Sequence, residues 1–212
     1  MGRDKALLEL GGRPLVAHAV AKLRRVCERV SILSASQELA GYAPLVRDLH
    51  PDCGPMGGIE AALAHSEFAW NLVLPVDVPF LPAAFLDWWA RGMVSRPGAR
   101  LGLFRVDGVN QPTLLMIHRE LAPYLTAALG RGQYKLMPVL QGAAEDLAAR
   151  GGEAVETVVR NLSIDEDFRF GEEEGGSTGE AQRTDVRRWF ANLNTPEDVA
   201  EAEQHVDGLD PE

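Results

Sequence analysis

Four short segments of this sequence carry side chains that could act on a phosphate compound. MGRDK (1–5) follows a glycine with Arg3, Asp4 and Lys5. GPMGGI (54–59) is a Gly/Pro turn running into a probable helix. Through Gly54 and Gly57 its backbone can come close to a ligand, and its N–H groups can face an anion. PVDVP (75–79) holds Asp77 between two prolines at the end of an apolar run. NLNTPED (192–198) sets Asn192 and Asn194 at alternate positions ahead of a helix start. Each segment also has a plain structural reading. Lys5 can be a solvated surface lysine and Asp77 a turn residue. Gly57 and Gly58 can serve helix packing, and the two asparagines can end a strand and feed an N-cap.

Other schemes are excluded by their missing motifs. The sequence has no GxGxxG after a strand, no GxxxxGK phosphate loop and no G-x-S-x-G nucleophile elbow. The five histidines are scattered, without H-E-x-x-H or zinc-ligand spacing. His18 reads as a packing or surface residue, and Cys27 and Cys53 as ordinary thiols.

The elements that must position these residues follow from the pattern. Pro14 opens a helix over 14–26, with Leu15, Val16, Ala19, Val20, Leu23 and Val26 on one face and Lys22, Arg24 and Arg25 off it. Residues 29–35 and 44–48 read as strands, which puts Ser34 and Asp48 at strand ends. Residues 57–66 read as a helix, 69–77 as a strand buried on both faces, and 82–96 as a helix. A hairpin over 100–106 and 111–118, carrying Gln111, precedes helices near 119–130 and 134–150. Residues 154–162 and 187–194 read as strands. Thr195-Pro196-Glu197-Asp198 has the N-cap, the proline and the first-turn acids of a helix start.

This order predicts an α/β fold. The sheet is open and mostly parallel (Rossmann-like), flanked by helices, with an antiparallel hairpin added. Ligands bind such sheets beyond the C-terminal ends of the strands, which gives weight to Ser34, Asp48 and Asp77. The 212 residues suit one domain over 1–206, with a flexible acidic loop over 171–184 and a frayed tail over 207–212. A net charge of −10 argues against nucleic acid and anionic membrane as partners. MGRDKALLEL has neither a signal-peptide core nor the myristoylation pattern. With only two cysteines, these features lead to the expectation of a cytoplasmic protein.

Taken together and in order, the motifs resemble those of the MobA-like nucleotidyltransferases, most closely the molybdenum cofactor guanylyltransferases. That family carries R-M-G-x-D-K, a G-P-x-x-G turn, D-x-P at a strand end, P-T in a hairpin, and N-x-N-T-P-E near its end. The counterparts here are MGRDKALLEL, GPMGGI, DVP, QPT and NLNTPED. The resemblance covers nearly the whole chain, and D-x-P and G-P-x-x-G are shared with related sugar-phosphate and cytidyl-transferring enzymes. It implies a nucleotide-diphospho-sugar transferase-like fold. The implied activity moves GMP from GTP to the molybdopterin phosphate, releasing pyrophosphate. Lys5 and Asp77 then become catalytic candidates, with Asp77 as the Mg²⁺ ligand. Lys5, Ser34, Asp48, Gly54, Gly57 and Asp77 become the nucleotide-binding set. Asp48 would pair with guanine, and Ser34 stands where the family often has Asn. Gln111, Asn192 and Asn194 fall on the acceptor side. Partners implied are GTP, the molybdenum cofactor and cofactor-delivery proteins.

The family places L-A-G-G-x-S-x-R and a first strand ahead of its R-M-G, and this sequence starts at that Met. The expectation is therefore a sheet lacking its first strand and phosphate loop, through a misassigned start or a true short form. Two further readings stay open at this point. One is a molybdenum cofactor cytidylyltransferase or another MobA-like nucleotidyltransferase. The other is a non-catalytic nucleotide-binding protein or an N-terminally truncated product.

Overall fold

The computed structural model describes residues 4–106, 108–164 and 186–210. A short hairpin comes first, β1 (Glu9–Leu10) against β2 (Arg13–Pro14). Gly11 and Gly12 turn it with φ of +59° and +72°, a region that favours glycine. Helix α1 (Leu15–Val26) follows, with Arg24 and Arg25 in its last turn, where cations suit the helix dipole. β3 (Ile32–Leu33) pairs in parallel with β4 (Leu45–Val46). Helix α2 (Pro55–His65) starts at Gly54, whose φ of +60° and ψ of −156° suit glycine alone, with Pro55 preset for the first turn.

The main sheet has four strands. β5 (Trp70–Val73), β6 (Leu101–Val106), β7 (Val109–His118) and β8 (Val159–Ile164) lie in the order β5-β7-β6-β8. β7 is antiparallel to β5 and β6, and β8 is parallel to β6. β5, β6 and β8 therefore all point the same way. Helix α3 (Ala83–Val94) connects β5 to β6. Helices α4 (Ala122–Gly130), α5 (Leu136–Gly151) and the single turn α6 (Val155–Val158) connect β7 to β8.

Alternation along the strands divides the core into two layers. Leu101, Leu103, Leu115 and Ile117 face a cluster containing Met56 and Ile59 of α2, Leu125 of α4 and Leu140 of α5. Phe104, Leu114 and Met116 face the opposite cluster with Phe85, Leu86 and Trp89 of α3 and Phe190. Gly102 lets this second layer close. A Cβ there would come within 3.0 Å of Met93 and Trp89 side-chain atoms.

The α/β architecture with an antiparallel hairpin addition is as expected. The hairpin strand β7 inserts between β5 and β6, so those two parallel strands do not touch. Among the described residues no strand joins β3 to β5, and each has one paired edge. Several sequence expectations need correction. β3 and β4 are two residues each, shorter than the runs 29–35 and 44–48. β5 is half-buried along its length rather than buried on both faces, because it is an edge strand. Within 154–162, residues 155–158 form a helical turn before β8 begins.

Residues 186–189 form a helical turn, where 187–194 was expected as a strand. The aromatic residues that suggested a strand pack instead against Phe85, with ring centroids 5.5 Å away for Trp189 and 6.1 Å for Phe190. Lys22 is buried on α1 rather than off its apolar face. Of the tail expected to fray over 207–212, residues 207–210 are described and 211–212 lie outside the described residues. Leu209 packs with Leu10, Leu15 and Phe80, and the Asp210 carboxylate is ion-paired to Lys22. The expected loop over 171–184 lies outside the described residues.

Candidate active site

Three of the candidate residues, 189 positions apart in sequence at the extremes, meet at one point. The Lys5 ammonium donates to Asp77 Oδ2 at 2.6 Å and to Asn194 Oδ1 at 2.8 Å. Each arrives by a different local device. Asp4 caps a 3-10 turn over Lys5–Leu7 by accepting from the Ala6 N–H, which fixes the backbone at Lys5. Asp77 follows β5 at the C-terminal end of the sheet, where open α/β folds bind ligands. Its carbonyl accepts from Leu193 N–H at 2.9 Å, so the C-terminal segment docks on the turn that carries it.

Asn194 is held by a capping box on the last α-helix, α7 (Pro196–Ala202). Thr195 Oγ1 accepts from Asp198 N–H, and Asp198 Oδ2 accepts from the N–H groups of Asn194 and Thr195 at 2.8 Å each. Those backbone bonds, Asn194 first, hold the Asp198 carboxyl below the usual carboxylate range. The expected N-cap, proline and acidic first turn are all present here. Lys5 is about a third exposed (37%) and Asp77 less so (16%), so the ion pair opens to solvent on the lysine side. A ligand can reach it without unfolding anything.

A second group forms around the ends of β3 and β4. Ser34 N–H donates to Val46 O, and Ser34 Oγ accepts from Ser36 N–H at 3.1 Å. Asp48, exposed, lies over the first turn of α2. A Cβ at Gly57 would stand 3.5 Å from Asp48 Oδ2, and one at Gly58 would stand 3.4 Å from Oδ1. The two glycines are therefore what lets the carboxylate sit close to the helix start. Gly57 N–H bonds back to Gly54 O at 3.1 Å, closing the turn.

Gln111 lies on β7 opposite Phe104, beside a register shift at Leu103/Phe104. Asn192 is exposed just ahead of Leu193. Among the described residues no hydrogen bond joins either side chain to the two groups above. Sequence reasoning missed Asp4 as the support for Lys5, and it read Asp198 only as a first-turn acid, although an acid at the third helical position after a threonine is a capping signal. His18 is buried, with Nε2 2.8 Å from Leu10 O, a packing residue as anticipated. Burial pushes the Cys27 thiol pKa up, which makes it less reactive.

Among the described residues no group of three acidic, His or Cys side chains gathers in one place. What is present is one carboxylate, Asp77, with the Asn194 amide oxygen on the same lysine. That set does not make a closed protein cage. It fits Mg²⁺ held by one carboxylate together with substrate phosphates, the way this ion is commonly bound.

The fold has solved relatives. The protein of Archaeoglobus fulgidus described as molybdopterin-guanine dinucleotide biosynthesis protein A superposes with a TM-score of 0.68, covering 98% of this chain and 93% of that one at 22% identity. The 2-C-methyl-D-erythritol 4-phosphate cytidylyltransferase of Thermus thermophilus gives 0.56, with 96% and 94% covered at 16% identity. This is the fold of a nucleotidyltransferase. The chain belongs to the MobA-like NTP transferase family, whose domain model matches residues 1–148. The molybdenum cofactor guanylyltransferase of Serratia proteamaculans is 35% identical over 185 residues, covering 84% of this chain and 90% of its own length. The enzyme of that name from Vibrio cholerae is 32% identical, with 64% and 68% covered. The relatives do not favour the cytidylyltransferase or the non-catalytic reading. No helix among the described residues is long and apolar enough to cross a membrane.

Proposed function

We propose that the protein transfers GMP from GTP to the phosphate of molybdopterin or the molybdenum cofactor. The observation that carries this reading is the meeting of Lys5, Asp77 and Asn194 at the C-terminal end of the sheet. The 35% identity to a molybdenum cofactor guanylyltransferase supports the choice of substrates. In the reaction an acceptor phosphate oxygen attacks the α-phosphorus of GTP. The bond from that phosphorus to the bridging oxygen breaks, and pyrophosphate leaves. Such a transfer needs in-line positioning and charge neutralisation more than covalent help.

Lys5 supplies a cation to the triphosphate. Bound nucleotide phosphate competes with Asp77 and Asn194 for its three N–H donors. Asp77, with one oxygen on Lys5, would hold Mg²⁺, which when bound neutralises phosphate charge. The Asp48 carboxylate accepts from N1–H and the 2-amino group of guanine, an edge that cytosine and adenine lack. Gly54, Gly57 and Gly58 give the nucleotide access to the start of α2, and Ser34 contributes one hydroxyl at the end of β3. Gln111 and Asn192 lie on the acceptor side. We place the reaction in the cytoplasm, in keeping with the unpaired thiols Cys27 and Cys53. The test is incubation with GTP, Mg²⁺ and molybdenum cofactor. Pyrophosphate release that needs the acceptor supports the reading, and no release overturns it.

A further inference from the structure

Lys22 is a buried lysine that the reaction does not use directly. Its side chain is 3% exposed, yet it carries two strong contacts. Its ammonium donates to Pro79 O at 2.6 Å and to Asp210 Oδ2 at 3.1 Å. Pro79 lies two residues after Asp77, in the turn that leads to α3. Asp210 faces several groups at once. It accepts from the Ala83 N–H at the start of α3, at 3.2 Å on Oδ1 and 3.0 Å on Oδ2, and Arg25 approaches Oδ1 at 3.7 Å.

The same tail touches other parts of the site's support. Leu209 shares a cluster with Phe80, Leu10 and Leu15. Gly11 N–H donates to Glu203 Oε1 at 2.9 Å, which ties the hairpin after Lys5 to the same C-terminal region. On the other side of Asp77, its carbonyl receives the Leu193 N–H. The turn is therefore held from two directions, by Leu193 at Asp77 and by Lys22 at Pro79.

We propose that Lys22 is a positioning residue. Through Pro79 O and Asp210 it locks the C-terminal tail onto the turn that carries Asp77, and so sets the Asp77 carboxylate against Lys5. An apolar side chain would fill the same space, but it could not satisfy Pro79 O and the Asp210 carboxylate together. Removing the ammonium leaves the buried Pro79 O without that donor, and leaves the partly buried Asp210 carboxylate only the Ala83 N–H and the more distant Arg25, so it should release the tail. Burial pulls the Lys22 pKa below the ordinary lysine value, and Asp210 opposes that shift.

The proposal rests on Asp77 working in the transfer, so its test needs a readout that does not depend on activity. Lys22→Met keeps the unbranched stem of the side chain, one atom shorter, and deletes the charge. The exchange rate of the Leu193 amide, measured by NMR, reports whether the Asp77 turn has loosened. We expect that exchange to rise about tenfold or more. The kcat for GMP transfer should fall about tenfold while KM for GTP changes less than about twofold, since the base contact at Asp48 lies elsewhere and the Lys5 cation itself is retained. Asp210→Asn keeps an acceptor at the start of α3 and should show both effects more weakly. If Lys22→Met does not fold, Asp210→Asn decides by the same two readouts.

Wild-type exchange at Leu193 in the folded variants overturns the proposal. Faster exchange with unchanged kcat also overturns it, because Lys22 is then only a tail anchor. A wild-type protein that transfers no GMP refutes the function instead. The Leu193 exchange then still judges the link between Lys22 and the Asp77 turn.

Discussion

Gly57 offers a perturbation whose two effects oppose each other and can be weighed. It lies in the first turn of α2, a helix position where alanine is intrinsically better by about 0.5–1 kcal/mol. The added Cβ, however, would stand 3.1 Å from His50 O and 3.2 Å from Cys53 Cβ. His50 O is backbone and Cys53 is buried, so neither can swing aside. Overpacking of this kind costs about 1–3 kcal/mol. The clash wins, and Gly57→Ala should lose about 1 kcal/mol net, lowering Tm by about 2–4 °C in a chain of this size.

Gly92 in α3 is the control, since a Cβ there meets nothing within 4 Å. Gly92→Ala should gain about 0.5–1 kcal/mol. The same Gly57 methyl comes 3.5 Å from Asp48 Oδ2, and any relief of the clash moves the turn beside that carboxylate. KM for GTP should therefore rise about fivefold, equivalent to about 1 kcal/mol. Thermal melts and steady-state kinetics on both variants check this. Gly57→Ala that is as stable as Gly92→Ala, with an unchanged KM, would show that the turn takes the methyl without strain and without moving Asp48.

Three other outcomes follow from the same structure. Asp48→Ala should cut the preference for GTP over CTP about tenfold, on the scale of about 1–3 kcal/mol for a bidentate base contact, while kcat with GTP stays nearly unchanged. Competition kinetics decide this, and an intact GTP preference removes Asp48 from base recognition. Thr195→Ala removes the N-cap of α7 and should cost about 1 kcal/mol, seen as a lower urea midpoint; an unchanged midpoint contradicts the capping account. Burial holds the His18 pKa below its unfolded value, so its contribution to stability is present above about pH 6.5 and is lost as the pH falls towards the folded pKa. His118 is shifted in the same direction, also by burial. His18→Gln should therefore flatten, without abolishing, the fall in urea midpoint between pH 7.5 and pH 5.5. A slope identical to wild type argues against that linkage.

The parts of this fold that were legible in the sequence are those fixed by local chemistry. Pro14, and Thr195 with Pro196 and Asp198, announce helix starts, and the structure has helices at each, while the helix read from Gly57 begins two residues earlier, at Pro55. The 100–106 and 111–118 hairpin was readable from alternation, although β7 begins two residues earlier, at Val109. What tertiary contacts decide was harder to read. Trp189 and Phe190 resemble strand residues until Phe85 and Phe104 are there to receive them. Lys22 and Asp210 each look solvated alone, and only the fold pairs them across 188 positions. The edge position of β5 depends on which strands flank it, which no local pattern reveals. In the site, Lys5, Asp77 and Asn194 were found by motif, but their convergence on one ammonium was not.

The proposed role of this cluster in nucleotidyl transfer can be measured directly. The direct measurement follows label from α-phosphate-labelled GTP into the molybdenum cofactor in the presence of Mg²⁺, for the wild type, Asp77→Asn and Lys5→Ala. The wild type should give labelled acceptor with equimolar pyrophosphate. Each variant should be slower by about a hundredfold or more, with folding preserved. Unlabelled acceptor with the wild type, or variants that label it as fast as the wild type, would remove this cluster from the transfer.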